Sequence, residues 1–554
     1  MKKFYWLIFL ATFVSCTKKT PKGQVVVAYS QAFNTLDPQM VDSSEQARML
    51  SLCYQQLLGY APSTDTYTFS SELADGMPSV SKDGETLVIK LKKGRYFSDH
   101  PSFEEGKGRE ITSNDFVYSL LRLADPKLSS PNFWLIENKI IGIKEWRIAQ
   151  NQSESTNYNQ IPEGINIKDS YTVELKLKVD APQLLHSLTH IGLSVVPRES
   201  VEKLQGDFAK SPVCSGPYRF LRWRTKESLE FEKNPTYSSE EASTSIQTVR
   251  YEFFEDPVKA FVAFKVGKVD LTRVPPQEIR DVVNLENRSL KDHHIAKGWK
   301  LHELSVLNTS FVIFNMQDPM IKRAGVKFRQ AVSLAVDRES LNISSSQGAS
   351  HISHSPIPPQ VFGHEVGRDN PFAKFDRVKA KQLLKESGWK DSQALTLSVY
   401  EGANTFVKFL VEGLEGIGIK VEVEKKSLSA FMGSLQNKKF QVSFMTWEAD
   451  YPDAENFLQL LYGPNGAPSP NFANFQDSRF DQNFKKMRAL QDGVAKKALL
   501  EKLHQRVVAE MPWALMLHDA AFYTSSKRLK GLDFRHLLGE SPLLGAVLEE
   551  SVQD

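Results

Sequence analysis

The residues of this chain best suited to chemistry are Trp447-Glu448-Ala449-Asp450-Tyr451-Pro452-Asp453. A carboxylate three residues after a tryptophan, with a turn-forming Pro-Asp behind it, can set one negative charge beside one flat apolar surface. Such a pair suits a ligand with a charged amine at one end and a variable side chain next to it. An ammonium–carboxylate contact strengthens out of water, and an aromatic wall accepts varied groups. The plainer alternative is a turn in which Trp447 fills the core and Asp450 caps a helix. Tyr451 either lines the same surface or packs beneath it.

Enzyme chemistry finds no support. There is no Gly-x-Ser-x-Gly elbow, and His302-Glu303 and His364-Glu365 lack the second histidine of a zinc-peptidase helix, so no residue is assigned a catalytic role. Cys-x-x-Cys and Cys–His metal spacings are absent too, so neither a metal nor another cofactor is expected. His186, His190, His351, His354 and His518 read as satisfied core or surface histidines rather than ligands.

The elements that must position these residues come from ordinary globular material. The chain has 554 residues, 41% hydrophobic and 24% charged, enough for about two to four domains. A net charge of +3 with only small basic clusters, Lys18-Lys19 and Lys425-Lys426, leaves no nucleic-acid footprint. Met1-Lys2-Lys3 and the apolar run 4–14 have the order of a signal peptide and are too short to span a bilayer. The run closes on Phe13-Val14-Ser15-Cys16, which resembles the lipobox of bacterial lipoproteins, with Phe13 where leucine is usual. That resemblance implies a signal peptide over 1–15, acylation of Cys16 and a polar tether over 16–23. Acyl chains would anchor the protein stably, at about 0.8 kcal/mol per buried methylene. Thr17 rather than aspartate after the cysteine leans towards the outer membrane. Cys53 and Cys214 then remain. They could form one disulfide in an oxidising compartment, but the apolar helix-like surroundings of Cys53 favour a small buried hydrophobe.

The β-branched run 24–30 predicts a strand, broken by Asn34 and Asp37-Pro38, and Ala47, Leu50, Tyr54, Leu57 and Leu58 predict a helix over 44–58. Ser81-Lys82-Asp83-Gly84-Glu85 signals a hairpin turn before a strand at 87–91. Thr112-Ser113-Asn114-Asp115 caps a helix over 116–121. Residues 171–177 alternate as a strand, and further on a strand at 311–314 precedes a helix at 326–336. The mixture argues α/β layers.

Several of these patterns, in this order, resemble the family 5 solute-binding proteins of bacterial ABC transporters, the oligopeptide- and dipeptide-binding group. They are Leu36-Asp37-Pro38, Leu57-Leu58-Gly59-Tyr60, Leu73-Ala74-Asp75-Gly76, Lys93-Gly94-Arg95-Tyr96-Phe97-Ser98-Asp99 and Asn114-Asp115-Phe116-Val117-Tyr118. Ser215-Gly216-Pro217-Tyr218, Asn234-Pro235-Thr236-Tyr237, Phe264-Lys265-Val266-Gly267-Lys268-Val269-Asp270 and Phe328-Arg329-Gln330-Ala331-Val332 follow. Together they cover nearly all of 25–531. Two departures stand out: an insertion at 100–110, which reads as a surface loop, and Cys214 where many members have glycine.

The resemblance implies an α/β, type II periplasmic-binding-protein fold with two hinged lobes and an inserted accessory domain. Lobe I would take 24–59, 170–303 and 518–554, the accessory domain 60–169 and lobe II 304–517. It also implies that Asp450 anchors the α-ammonium of a peptide and Trp447 walls its first side-chain pocket. The arginine that some members carry three residues before the tryptophan is Phe444 here, so the far end of the ligand has no assigned counter-charge. The expected protein is a monomeric, exported, lipid-anchored receptor on the periplasmic side that delivers peptides to ABC permease subunits. Its ligand-binding residues are Asp450, Trp447 and Tyr451. The alternatives are the same fold binding a non-peptide solute (a metal chelate, haem or sugar) and a lipoprotein that senses without transporting.

Overall fold

The computed structural model describes residues 22–549, apart from 31–32, 63–66, 179–180, 238–243, 368, 391–393 and 535–540. Cys16 and the signal sequence lie outside the described residues. Among the described residues no helix is long and apolar enough to cross a membrane.

Three sheets organise the chain. The strand Gln24–Tyr29 lies inside a seven-stranded sheet, parallel to Thr248–Phe253 and Leu271–Arg273. Its run Val25-Val26-Val27-Ala28 is buried throughout because both faces are covered. Val25 and Val27 point into one core with Val249 and Tyr251, while Val26 and Ala28 meet Phe261, Phe264 and Phe522 on the other side. In a five-stranded sheet, in the order Lys420–Lys426, Ala394–Tyr400, Val442–Glu448, Asn308–Phe314 and Trp513–Leu515, the inner strands Val442–Glu448 and Asn308–Phe314 are likewise covered on both faces. A smaller sheet joins Ser79–Val80, Thr86–Lys90, Thr172–Lys176 and Ile165–Asp169.

The chain passes from the seven-stranded to the five-stranded sheet at 305–308 and returns at 515–520. Asn308 and Asp519 tie the two passages together: Asn308 Nδ2 donates to Asp519 Oδ2 at 2.8 Å, and Asp519 N donates to Asn308 Oδ1 at 2.9 Å.

The helix expected over 44–58 covers only Ser44–Leu50. Beyond it the backbone carbonyls that would continue the helix are taken elsewhere. Leu52 O accepts from Tyr218 N at 2.9 Å, and Cys53 O accepts from both Ser215 N and Gly216 N at 2.8 Å. The approach is so close that a side chain on Gly216 would meet Leu52 O at 2.8 Å. Here, contrary to the buried-hydrophobe expectation, Cys53 and Cys214 form a disulfide, with Cα atoms 4.7 Å apart. Apolar surroundings and a disulfide are compatible; only the fold brings the distant partner in.

The insertion at 100–110 is more than a surface loop. Phe103 is buried against Phe97, and Arg109 bridges Asp115 at 2.6 Å and Glu199 at 2.5 Å. Asp115 also accepts from Thr112 N at 2.9 Å, closing the start of the helix Ser113–Leu123 where the oxygen-bearing side chains predicted a cap. The small sheet extends past the expected accessory boundary at 169, because Thr172–Lys176 pairs with Thr86–Lys90 and forms a hairpin with Ile165–Asp169.

Candidate functional site

The strand Val442–Glu448 runs antiparallel to Asn308–Phe314, with Trp447 opposite Thr309. Strand alternation sorts its side chains. Phe444 turns into the core and stacks on Phe406 at 4.1 Å, while Met445 and Trp447 pack on the opposite face of the sheet. Residue 444 is therefore a packing position. Ala449 N donates to Leu307 O at 2.7 Å, and the chain then turns.

The helix that follows, Ala454–Leu458, is capped by Asp453, which accepts from Glu455 N at 2.7 Å. Asp450 is thus not the cap. Asp453 also meets Lys496 at 2.7 Å, and Lys496 in turn meets Asp492 at 2.9 Å. Burial pushes the Asp453 carboxyl up, but the Lys496 ammonium beside it outweighs this and holds the group below the usual carboxylate range.

Asp450 stands in a cavity of about 480 Å³. Residues 41–45 from the seven-stranded side, Trp134 and His190 from the segments between, and Glu448 to Asp450 from the five-stranded side line it. Asp450 is reachable by water inside the cavity although protein encloses most of its surroundings. That enclosure raises its carboxyl above the ordinary range, against a hydrogen bond from Asn456 and the charge of Lys139. Among the described residues Asp450 has no ion-pair partner within 4.0 Å. Glu448 is raised as well, by burial and then by Glu45 across the cavity. With Asp42 the lining carries four carboxylates, Asp42, Glu45, Glu448 and Asp450. Lys139, held at Ser187 Oγ at 2.7 Å and over the Trp134 ring at 5.3 Å, is pushed down to about 8 by burial, partly offset by Asp450 and Glu455. The site therefore favours a cationic group.

Of the three residues predicted as ligand contacts, Asp450 alone lines this cavity. Trp447 is half-buried against the apolar cluster that contains Phe311 and Trp513, and its Nε1 donates to Asn456 Oδ1 at 2.9 Å. Tyr451 packs beneath the site. It is buried, its ring stacks on His186 at 4.4 Å, and its hydroxyl donates to Glu455. His186, half-buried, meets Tyr60 OH through Nδ1 at 2.7 Å.

Sequence reasoning missed Asn456, which is fully buried. Its Oδ1 accepts from Trp447 Nε1 and, at 3.3 Å, from Asp450 N, while its Nδ2 donates to Asp450 Oδ2 at 3.3 Å. The available signal was an asparagine three residues into a helix capped by Asp453, a pattern that surface helices share. It missed Lys139 altogether and read His190 as a satisfied core or surface histidine, because only tertiary structure brings residues 134–190 to the turn at 450.

Two sheet-based lobes joined by paired crossings, with a carboxylate-lined cavity between them, define a type II periplasmic binding protein. The chain belongs to the bacterial extracellular solute-binding proteins, family 5: the sequence model of that family's middle region matches residues 68–469. It is 24% identical over 533 residues, 92% of each chain, to the probable deoxycholate-binding periplasmic protein YgiS of Escherichia coli. It is 26% identical to the periplasmic oligopeptide-binding protein OppA of Salmonella typhimurium, over 77% of this chain and 75% of that one. Among solved structures it is similar to the periplasmic binding protein DppA of Helicobacter pylori in complex with the peptide STSA, with a TM-score of 0.69 at 20% identity over 95% of this chain and 98% of the other.

Proposed function

We propose that this protein is a lipid-anchored extracytoplasmic receptor that captures short peptides for an ABC importer, with Asp450 holding the peptide's ammonium end. The observation that carries the reading is Asp450 itself, a solvent-exposed carboxylate without an ion-pair partner among the described residues, lining a cavity of about 480 Å³. An ammonium group entering there would relieve the cost of enclosing that charge. Trp447 and Asn456 act through Asp450, fixing the turn that presents it. The peptide C-terminus is not held by residue 444, whose ring lies in the core.

Similarity to OppA and to a peptide-bound DppA supports a peptide ligand. Similarity to a deoxycholate-binding protein raises a second reading, a non-peptide solute. An anionic solute such as deoxycholate would enter a lining with four carboxylates, which works against it. Division into lobe I, accessory domain and lobe II, a hinge at the paired crossings, anchoring through Cys16, a monomeric state and partnership with permease subunits complete the proposal.

Native mass spectrometry of the purified protein tests it. A mixture of short peptides should co-purify with the wild type and be lost from Asp450→Asn. Equal retention by Asp450→Asn would remove the ammonium anchor, and a single non-peptide mass would favour the second reading. Release of a Cys16→Ser variant from the membrane fraction tests the anchor separately.

A further inference from the structure

Asp281, His293 and His294 converge outside the cavity, each offering one ligand-type atom, with these atoms within 4.8 Å of one another. Asp281 sits on the short helix Ile279–Val282 and the histidines on Asp292–Ile295. A two-stranded hairpin between them, Val283–Asn284 paired with Ser289–Leu290, returns the chain beside itself. Lys291 N then donates to Val282 O at 3.0 Å. Val282, Val283 and Leu290 anchor this hairpin in an apolar core, so the spacing of the three side chains is set by packed backbone.

The carboxylate presents one oxygen to each imidazole: Oδ1 lies 3.8 Å from His293 Nε2 and Oδ2 lies 3.3 Å from His294 Nε2. His294 is 2% exposed, and its ring stacks flat on Trp299 at 4.4 Å. Its Nδ1 is buried without a hydrogen-bond partner among the described residues, and its Nε2 lies 3.3 Å from Asp281 Oδ2. His293 and Asp281, by contrast, have side chains 54% and 58% exposed, which leaves the cluster open on one side.

We propose that Asp281, His293 and His294 form a binding site for a borderline divalent cation of the Zn2+ class. Two imidazole nitrogens and one carboxylate oxygen make a donor set suited to such an ion, with the fourth position open to water. Metal–ligand bonds of about 2.0–2.2 Å put neighbouring donors roughly 3.4 Å apart. The exposed His293 and Asp281 can swing inward by the remaining distance while the stacked His294 stays fixed. Adjacent histidines and an aspartate twelve residues earlier match no zinc motif, so neither a cysteine spacing nor a His-Glu pair marks this group in the sequence.

The test is Zn2+ titration of the purified full chain in competition with a chromophoric chelator, for wild type, His293→Ala and Asp281→Asn. Both substituted side chains are exposed, so the variants should keep the wild-type thermal midpoint without metal. The expected result is one Zn2+ bound per wild-type chain at this site, with affinity weakened roughly tenfold or more in each variant. Zn2+ should also raise the thermal midpoint of the wild type more than that of either variant. No uptake by the wild type, equal uptake by all three proteins, or a loss confined to one variant would each overturn the three-residue site.

Discussion

Asn456 and Trp447 are joined by an indole hydrogen bond, Nε1 to Oδ1 at 2.9 Å, inside the lobe that carries Asp450. The same carboxamide reaches both the backbone N–H and the carboxylate of Asp450, at 3.3 Å each. One buried side chain thus holds the ring and the charge that the sequence pattern placed three residues apart. The tryptophan-to-aspartate spacing matters because both ends are tied to one anchor.

Asn456→Ala should therefore disturb stability and ligand retention together. It leaves the Trp447 indole donor and the Asp450 amide without their acceptor, at about 1–3 kcal/mol for each donor left buried. Urea denaturation should register a loss of about 2–6 kcal/mol. Peptide retention measured at a temperature where the variant is folded should fall as well. A variant that loses stability yet keeps wild-type retention would mean that Asp450 holds its position without this anchor.

The disulfide supplies the second expectation. Cys53 and Cys214 are 161 residues apart, so the bond closes a loop that contains the whole small sheet. Constraining a loop of that length in the unfolded chain would stabilise the fold by about 5 kcal/mol on chain entropy alone, and measured gains are typically about 2–4 kcal/mol. The double variant Cys53→Ser, Cys214→Ser should show this loss in denaturant titrations, and dithiothreitol should lower the wild-type midpoint but leave the variant's unchanged. An identical midpoint for reduced and oxidised wild type would argue against the bond.

Much of this architecture was legible in the sequence. The buried strand at 24–29, the capped helix after Thr112 and the strand–helix pair at 308–335 all follow from periodicity and caps. What was not legible depends on partners far away in the chain. The helix after Ser43 stops early because residues 215–218 claim its carbonyls. Phe103 and Arg109 draw the insertion onto the core, and Tyr451 sinks under the site because His186 offers it a flat ring. Local pattern carries no information about such contacts. Asp450 was legible by its neighbours in sequence, whereas Asn456 and Lys139 were not.

Glu455 gives a pH dependence. Burial pushes its carboxyl up to about 7, although the Tyr451 hydroxyl donates to it. A carboxyl raised in the folded state binds more protons there than in the unfolded chain. Its contribution is therefore fully present below about pH 4 and lost as pH rises to about 7. Glu455→Gln should match the wild type near pH 4 and exceed it in unfolding free energy above pH 7, by about 3 kcal/mol. Denaturant titrations of both proteins across that range check this, and parallel curves would contradict it.

Three histidines act in the opposite direction. His186 and His190 are pushed down to about 4, in each case first by burial, and His518 to about 3, again by burial. Each stays neutral in the fold while the unfolded chain takes up a proton near pH 6.5. The stability they contribute is thus complete above about pH 6.5 and is lost as pH falls towards 4. His518 is the clearest probe, since it is fully buried and its Nδ1 lies 2.9 Å from Asn308 O, beside the paired crossings. An asparagine amide can replace that N–H donor without the titration. His518→Asn should flatten the acid limb of the stability profile by about one proton's worth, roughly 1.4 kcal/mol per pH unit between pH 6 and 4.5. If the variant's acid limb keeps the wild-type slope, His518 is already protonated in the folded protein at those pH values, and the acid sensitivity must come from the other histidines.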